Sequence, residues 1–328
     1  MQQLLFNLCN APCLGPVENA FAVAEEFLAP FAAVTRSPGR LIAAVPGTGE
    51  PVLLEAHLDE VGFTVTHVHP NGFLTVAPVG SVDSRILAGT PVTVLGQRPV
   101  PGVFTSVPPH LSSGSKVAAF NDLKIDIGKA GANLVRPGDF AVFCAPAAAL
   151  AGSCVTAKAL DNRSGVAAVL LAAQKAAAQK GGRPVTVLLT NGEELGCRGA
   201  KTGGFALLGK VGCAVSVDVS FGNFPGCEPE HTAVLGTGAM VGVSPVLSGK
   251  VTAALKRLAK QNNIPFTLEV MGSNTSTNAD VLSVTGGGMA AGLVSIPLRN
   301  MHTPCEVINL NDLAAVANLL AQFCKEGC

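Results

Sequence analysis

The 328-residue chain contains no Trp and no Tyr. The amphipathic rings that most often stack against sugar faces are therefore missing, although 15 Phe are present. Charge is scarce as well. Only 13% of residues are charged, with 22 basic and 22 acidic side chains and a formal net charge of zero. No basic surplus exists to hold a nucleic acid or an anionic membrane, so neither is expected as a partner. The ten cysteines form no Cys-x-x-Cys pair, which argues against a structural zinc ribbon. The start, Met1-Gln2-Gln3-Leu4-Leu5-Phe6, lacks the basic residues of a signal peptide. The most apolar stretch, Phe140 to Val155, is interrupted by Pro146, Gly152 and Ser153 and is too broken for a membrane span. A cytoplasmic protein with reduced, mostly buried cysteines is expected.

What is present is core material: 48% of residues are hydrophobic, in a length that suits one large domain or two ordinary ones. A neutral, apolar surface points to contacts between subunits. Val17 to Ala29 carries Ala20, Val23 and Phe27 at helical spacing. Leu41 to Val45 and Val52 to Ala56 read as strands around the turn Gly47-Thr48-Gly49. From Gly62 to Leu150 the pattern changes to short strands (Phe63 to His69, Phe73 to Val79, Val92 to Leu95, Val103 to Ser106, Phe140 to Cys144) with Pro70-Asn71-Gly72 as a hairpin turn. The α/β pattern then resumes. Helices are expected at Gly165 to Lys180, at Val251 to Gln261 and at Asp312 to Cys324, the last capped by Asn311. Strands are expected at Val185 to Leu189, Ala214 to Val217, Phe266 to Val270 and Leu293 to Ile296. The fold class is therefore α/β, a mainly parallel sheet flanked by helices, formed by residues 1–62 and 153–328. Residues 63–152 are expected to form an inserted small β domain.

Several of these strands end in residues able to hold a metal. The Val52 strand runs into His57-Leu58-Asp59-Glu60, and the Val185 strand into Glu193-Glu194. The Ala214 strand ends in Asp218, the Leu293 strand leads to His302, and Asp161 precedes the Gly165 helix. In a parallel sheet these ends share one edge, where ligands bind. Two His and several carboxylates without a thiolate suit zinc, cobalt or manganese. So many acids make a pair of metals about 3.5–4 Å apart plausible if one carboxylate bridges them. Taken singly, Asp161 reads better as a helix cap, Asp218 reads as turn chemistry and Glu194 as a partner of Arg198. Together they favour a metal site. His67 and His69 share a strand face and read as a solvent-facing pair, and neither His110 nor His231 is given a role.

The segments His57-Leu58-Asp59-Glu60-Val61-Gly62-Phe63, Ala159-Leu160-Asp161-Asn162-Arg163-Ser164-Gly165, Glu193-Glu194-Leu195-Gly196-Cys197-Arg198-Gly199-Ala200 and Ile296-Pro297-Leu298-Arg299-Asn300-Met301-His302-Thr303-Pro304 resemble the signature blocks of the tetrahedral aminopeptidases. Pro101-Gly102-Val103, Pro108-Pro109-His110-Leu111 and Asp122 to Gly128 resemble that family's dimerisation domain. The resemblance implies two divalent metals, zinc or cobalt, with His57 and Asp161 as first ligand and bridge, and Glu194, Asp218 and His302 completing the set. It implies Glu193 as general base toward a water between the metals and Asp59 as the residue orienting His57. It further implies peptide substrates with a free N-terminus and a dodecamer built from dimers. The family's usual Arg-Tyr-Met-His is here Arg299-Asn300-Met301-His302, and Thr275-Ser276-Thr277-Asn278-Ala279-Asp280 stands where Gly-Thr-Asp-Ala is commoner, which bears on the substrate pocket. A related deacylase or carboxypeptidase, using Arg163, Arg198 or Arg299 for a substrate carboxylate, is the alternative. A glycoside hydrolase fits less well, because its two carboxylates face each other across about 5–9.5 Å rather than being chain neighbours.

Overall fold

Four apolar runs form the centre of one large sheet. The computed structural model describes residues 1–111, 118–179 and 181–328. In it the runs are the strands Ala291–Arg299, Cys213–Phe221, Val52–His57 and Val185–Thr190, adjacent in that order and all parallel. Helices cover both faces, so these strands are apolar on both sides rather than alternating. Side chains split by the two-residue period. Leu54, Ala56, Val187, Leu189, Val215, Val217 and Val294 face one core, and Leu53, Leu188, Ala214 and Ala291 face a smaller one.

The flanks of the sheet run antiparallel, so the whole is mixed around a parallel centre. The hairpin Ala33–Ser37 and Arg40–Val45 closes one side against Val185–Thr190. Glu306–Asn309, Cys154–Ala157 and Ala148–Ala149 extend the other side. Ala239–Val243 pairs antiparallel with Ala291–Arg299 and parallel with Phe266–Val270. Antiparallel neighbours need only short links, whereas each parallel pair needs a crossover. Two long helices, Leu160–Ala178 and Leu310–Glu326, pack together over the larger core. Arg198–Ala206 and Asn278–Val284 cover the other face. The Arg198–Ala206 helix is polar and glycine-rich, so no apolar period announces it. Its Gly203 lies so close to the sheet that a Cβ would stand 2.8 Å from Leu188.

Six strands (Gly62–Val68, Phe73–Val79, Pro91–Leu95, Pro99–Phe104, Ile125–Asp126 and Phe140–Phe143) close into a barrel. Phe63 centres its core, with ring centroids 4.8 Å from Phe104 and 5.5 Å from Phe143. The expected turn at Pro70-Asn71-Gly72 joins the first two strands. Gly72 there adopts φ +91°, and a Cβ would meet the Gly128 backbone at 2.3 Å.

Some local expectations are corrected. The helix placed from Gly165 begins at Leu160, with non-helical dihedrals at Asp161 and Asn162. Its expected end, Lys180, lies outside the described residues. The cap of the last helix is Asn309, not Asn311: its side chain accepts from the Asn311 N–H at 2.9 Å. Among the described residues no helix is long and apolar enough to cross a membrane.

Glu55 is wholly buried in the central sheet and accepts from Thr190 Oγ1 at 2.9 Å, Ser216 Oγ at 2.6 Å and Asn278 Nδ2 at 2.6 Å. Burial pushes its carboxyl from 4.5 up to about 7, against the pull of those hydroxyls. Between these values the folded chain keeps a proton that the unfolded chain has lost, so Glu55 contributes less to stability as pH rises. Glu55→Gln removes this dependence. Urea unfolding at about pH 4 and pH 8 should show the variant gaining on the wild type by about 3 kcal/mol at the higher pH; an unchanged difference would refute the assignment.

Candidate metal centre

The parallel centre carries its C-terminal ends to one edge, where a cavity of about 640 Å³ opens. His57 is the last residue of its strand, and Glu193 and Glu194 lie in the loop after Val185–Thr190. Asp161 sits in the irregular first turn of its helix. His302, with φ +61°, lies in the loop beyond Arg299. Asp218 is not a strand end as expected, because its strand continues to Phe221. All six residues line the cavity.

His57 Nε2 lies 3.2 Å from Asp161 Oδ1 and 3.7 Å from Asp218 Oδ1. His302 Nε2 lies 3.3 Å from Asp161 Oδ2 and 3.1 Å from Glu194 Oε1. Each trio keeps its ligand atoms within 4.8 Å of one another. Asp161 belongs to both and turns one oxygen to each imidazole.

Buried carboxylates hold this edge in place. Asp59 Oδ1 lies 3.4 Å from His57 Nδ1, and the Asp59 oxygens accept from the backbone N–H of Glu193 and of Glu194, each at 3.1 Å. Glu306 does the same for the other side, accepting from the N–H of Asp161 at 3.0 Å and of His302 at 2.7 Å. The Ser81 carbonyl lies 2.8 Å from His302 Nδ1. A carbonyl only accepts, so Nδ1 carries a proton and Nε2 is the ring atom that faces the acids. Glu60 accepts from Lys158 at 2.6 Å and from the buried Arg163 at 3.2 Å. Glu306, Ser81 and Lys158 were not singled out in the sequence, where nothing local marks them.

The charge balance shows what the site takes. Burial raises the Asp218 and Glu194 carboxyls, with Asp161 repelling both. Burial pushes Glu193 up to about 8, against His57 and with help from Asp218, Glu194 and Asp59. Burial works against a charged His302, yet Asp161 and Glu194 lift its imidazole to about 11. Among the described residues no Lys or Arg lines the cavity. A cluster of buried acids with two imidazoles and no lysine or arginine fits divalent cations with nitrogen and oxygen ligands. Among the described residues no thiol joins either trio.

The remaining candidates fall elsewhere. His67 and His69 pack edge-to-face in the barrel with centroids 4.5 Å apart, and His69 Nε2 lies 3.0 Å from Thr75 Oγ1. His231 lines the cavity without joining a trio, and His110 lies in a short turn of the barrel region. The three arginines suited to a substrate carboxylate do not reach the cavity. Arg163 is wholly buried against Leu8 O, Ala11 O and Glu60; Arg299 holds Asn223; Arg198 is exposed outside.

A mixed α/β domain with a barrel insert and a buried site of this kind defines a class of metal-dependent hydrolases. The M42 glutamyl aminopeptidase profile matches residues 39–319. An aminopeptidase candidate of Acetivibrio thermocellus is 33% identical over 293 residues, covering 87% of this chain and 85% of its own. Among solved structures, the aminopeptidase APDkam598 of the archaeon Desulfurococcus kamchatkensis superposes with a TM-score of 0.92 at 29% identity, covering 99% of this chain and 94% of the other. The TET1 peptidase of Pyrococcus horikoshii, which can assemble into a tetrahedron or a large octahedral shell, gives 0.86 at 28% identity, covering 99% of each chain. The chain belongs to the M42 glutamyl aminopeptidase family and is a hydrolase of the aminopeptidase class.

Asp161 is shared by both trios, whereas Glu194 serves one. Elemental analysis of purified Asp161→Ala should therefore find near-complete loss of divalent metal, and Glu194→Ala should lose about half. Equal metal content in Asp161→Ala and wild type, with folding verified by circular dichroism, would reject the shared-ligand geometry.

Proposed function

We propose that the protein removes N-terminal residues from peptides with a free N-terminus, using two divalent cations, zinc or cobalt with manganese also compatible. One would be held by His57, Asp161 and Asp218, the other by Asp161, Glu194 and His302. The observation that carries this reading is the Asp161 carboxylate with one oxygen toward each imidazole. When bound, the cations polarise the scissile carbonyl and make water more acidic, a single zinc lowering its pKa from about 15.7 to about 7.

The chain's own groups supply the rest. Glu193 lines the cavity beside both trios without belonging to either, so its carboxylate is free to take the proton of the attacking water and return it to the leaving amine. Its loop is held by Asp59, so the base and the His57 ring keep one fixed relation. Ser81 and Glu306 steady His302 in the same way. Among the described residues no arginine lines the cavity, in keeping with an amine-recognising enzyme rather than a carboxypeptidase.

The inserted segment, residues 63–152, would mediate dimerisation, and dimers would build a tetrahedral dodecamer. Val103, Val107 and Leu111 leave apolar side chains exposed along this segment, in keeping with a covered face. The ten cysteines are all unpaired, which suits the reducing cytoplasm.

Glu193→Gln keeps the shape and removes the base. It should lower kcat on aminoacyl anilides by at least about 10²-fold while metal content stays at the wild-type level. Near-normal turnover would remove Glu193 from the proton transfer. EDTA should abolish wild-type activity, and added zinc or cobalt should restore it; activity that survives complete metal removal would overturn the two-cation reading.

A further inference from the structure

The cavity extends past the metal centre, and its far wall carries a polar pair that the mechanism does not use. Thr267 and Glu269 are two residues apart on the strand Phe266–Val270 and so share a face. Both line the cavity. Glu269 is largely withdrawn from solvent, and its Oε2 accepts from Ser295 Oγ at 2.7 Å. The Ser220 hydroxyl, also beside it, pulls its carboxyl down against the effect of burial. Ser220 lies two residues beyond Asp218, and Ser295 pairs in register with Asp218 on the neighbouring strand, so this carboxylate is anchored one step from a metal-ligand position. Thr267 Oγ1 is buried and has no hydrogen-bond partner. Met240, in register with Thr267 on the neighbouring strand, and Met271 beyond the strand end add apolar side chains to the same cavity.

We propose that Glu269 and Thr267 form the end of the pocket for the substrate's N-terminal side chain, and that this pocket selects a basic residue, lysine or arginine. The inference rests on the aminopeptidase reading and names the substrate class of that site.

A lysine or arginine side chain has an aliphatic stem and a cationic tip that needs several acceptors. The apolar wall receives the stem, and Glu269 with the unpartnered Thr267 hydroxyl receives the tip. An acidic side chain would meet Glu269 and Glu230, with no lysine or arginine among the described residues of the cavity to offset them. A norleucine side chain, as long as lysine but uncharged, would fill the stem region and leave Glu269 without its partner. Burial raises the Glu269 carboxyl against the two serines, and a cation beside it supplies the opposite charge it lacks.

The test uses the metal-loaded 328-residue chain with lysyl, arginyl, norleucyl and glutamyl p-nitroanilides. The wild type should cleave lysyl and arginyl anilides with kcat/KM at least about 10-fold above norleucyl, and glutamyl should be poorest. Glu269→Gln should lower the lysyl-to-norleucyl ratio by about 10-fold or more, mainly through KM, and Glu269→Lys should raise glutamyl above lysyl. Product inhibition of the wild type by free lysine and norleucine gives the same comparison without a variant, with lysine expected to bind more tightly. Norleucyl cleaved as well as lysyl, or an equal loss on all anilides in Glu269→Gln, overturns the basic pocket while leaving the aminopeptidase reading intact. No cleavage of any anilide removes both.

Discussion

The Asp59 carboxylate touches three parts of the centre at once: the His57 ring and the backbone N–H groups of Glu193 and Glu194. Two parallel strands are thereby locked together at their ends, and the loop that carries Glu193 and Glu194 cannot move independently of His57. Glu306 repeats the device between Asp161 and His302. In each case a buried carboxylate spends its lone pairs on backbone N–H groups that an irregular loop would otherwise leave unpaired. Glu193, Glu194 and His302 stand on loops, yet these loops are tied to the sheet edge by buried carboxylates.

This arrangement concentrates negative charge. Asp59, Asp161, Glu193, Glu194, Asp218 and Glu306 all lie at one sheet edge, and Lys158 and Arg163 reach Glu60 rather than the cavity. Burial and mutual repulsion oppose ionisation of Glu193, Asp218 and Glu306, so the site is complementary to cations. The barrel contributes directly to this edge, because the Ser81 carbonyl that sets the His302 tautomer comes from the inserted segment. Any movement of the barrel against the sheet would be felt at a ligand.

The acids at the cavity wall divide into separate tasks. Asp161 spans two imidazoles, Glu193 remains outside both trios, and Glu269 lies further along, held by serines from strands that also frame Asp218. One polar surface, built on neighbouring strands, thus supports charge at the reacting end and recognition at the other.

Much of this was legible before any coordinates. Apolar runs ending in His57, Glu193 with Glu194, and the approach to His302 announced both the strands and their chemistry, because a buried strand and the polar residues at its end are local properties of the chain. The barrel was visible for the same reason, as short strands broken by Gly and Pro. Other features were invisible because they depend on which segments become neighbours. Glu306 meets Asp161 across 145 positions, and Glu55 meets Asn278 across 223. The glycine-rich helix Arg198–Ala206 has no apolar period to read, being selected by close approach to Leu188. The sequence alone determined which residue types could bind metal and that strand ends would present them. Only the tertiary structure decided that Asp161 belongs to both trios, that Arg163 is buried scaffolding, and that Thr267 and Glu269 line the same cavity. Pairing between distant strands is set by packing of the whole sheet, and no local pattern encodes it.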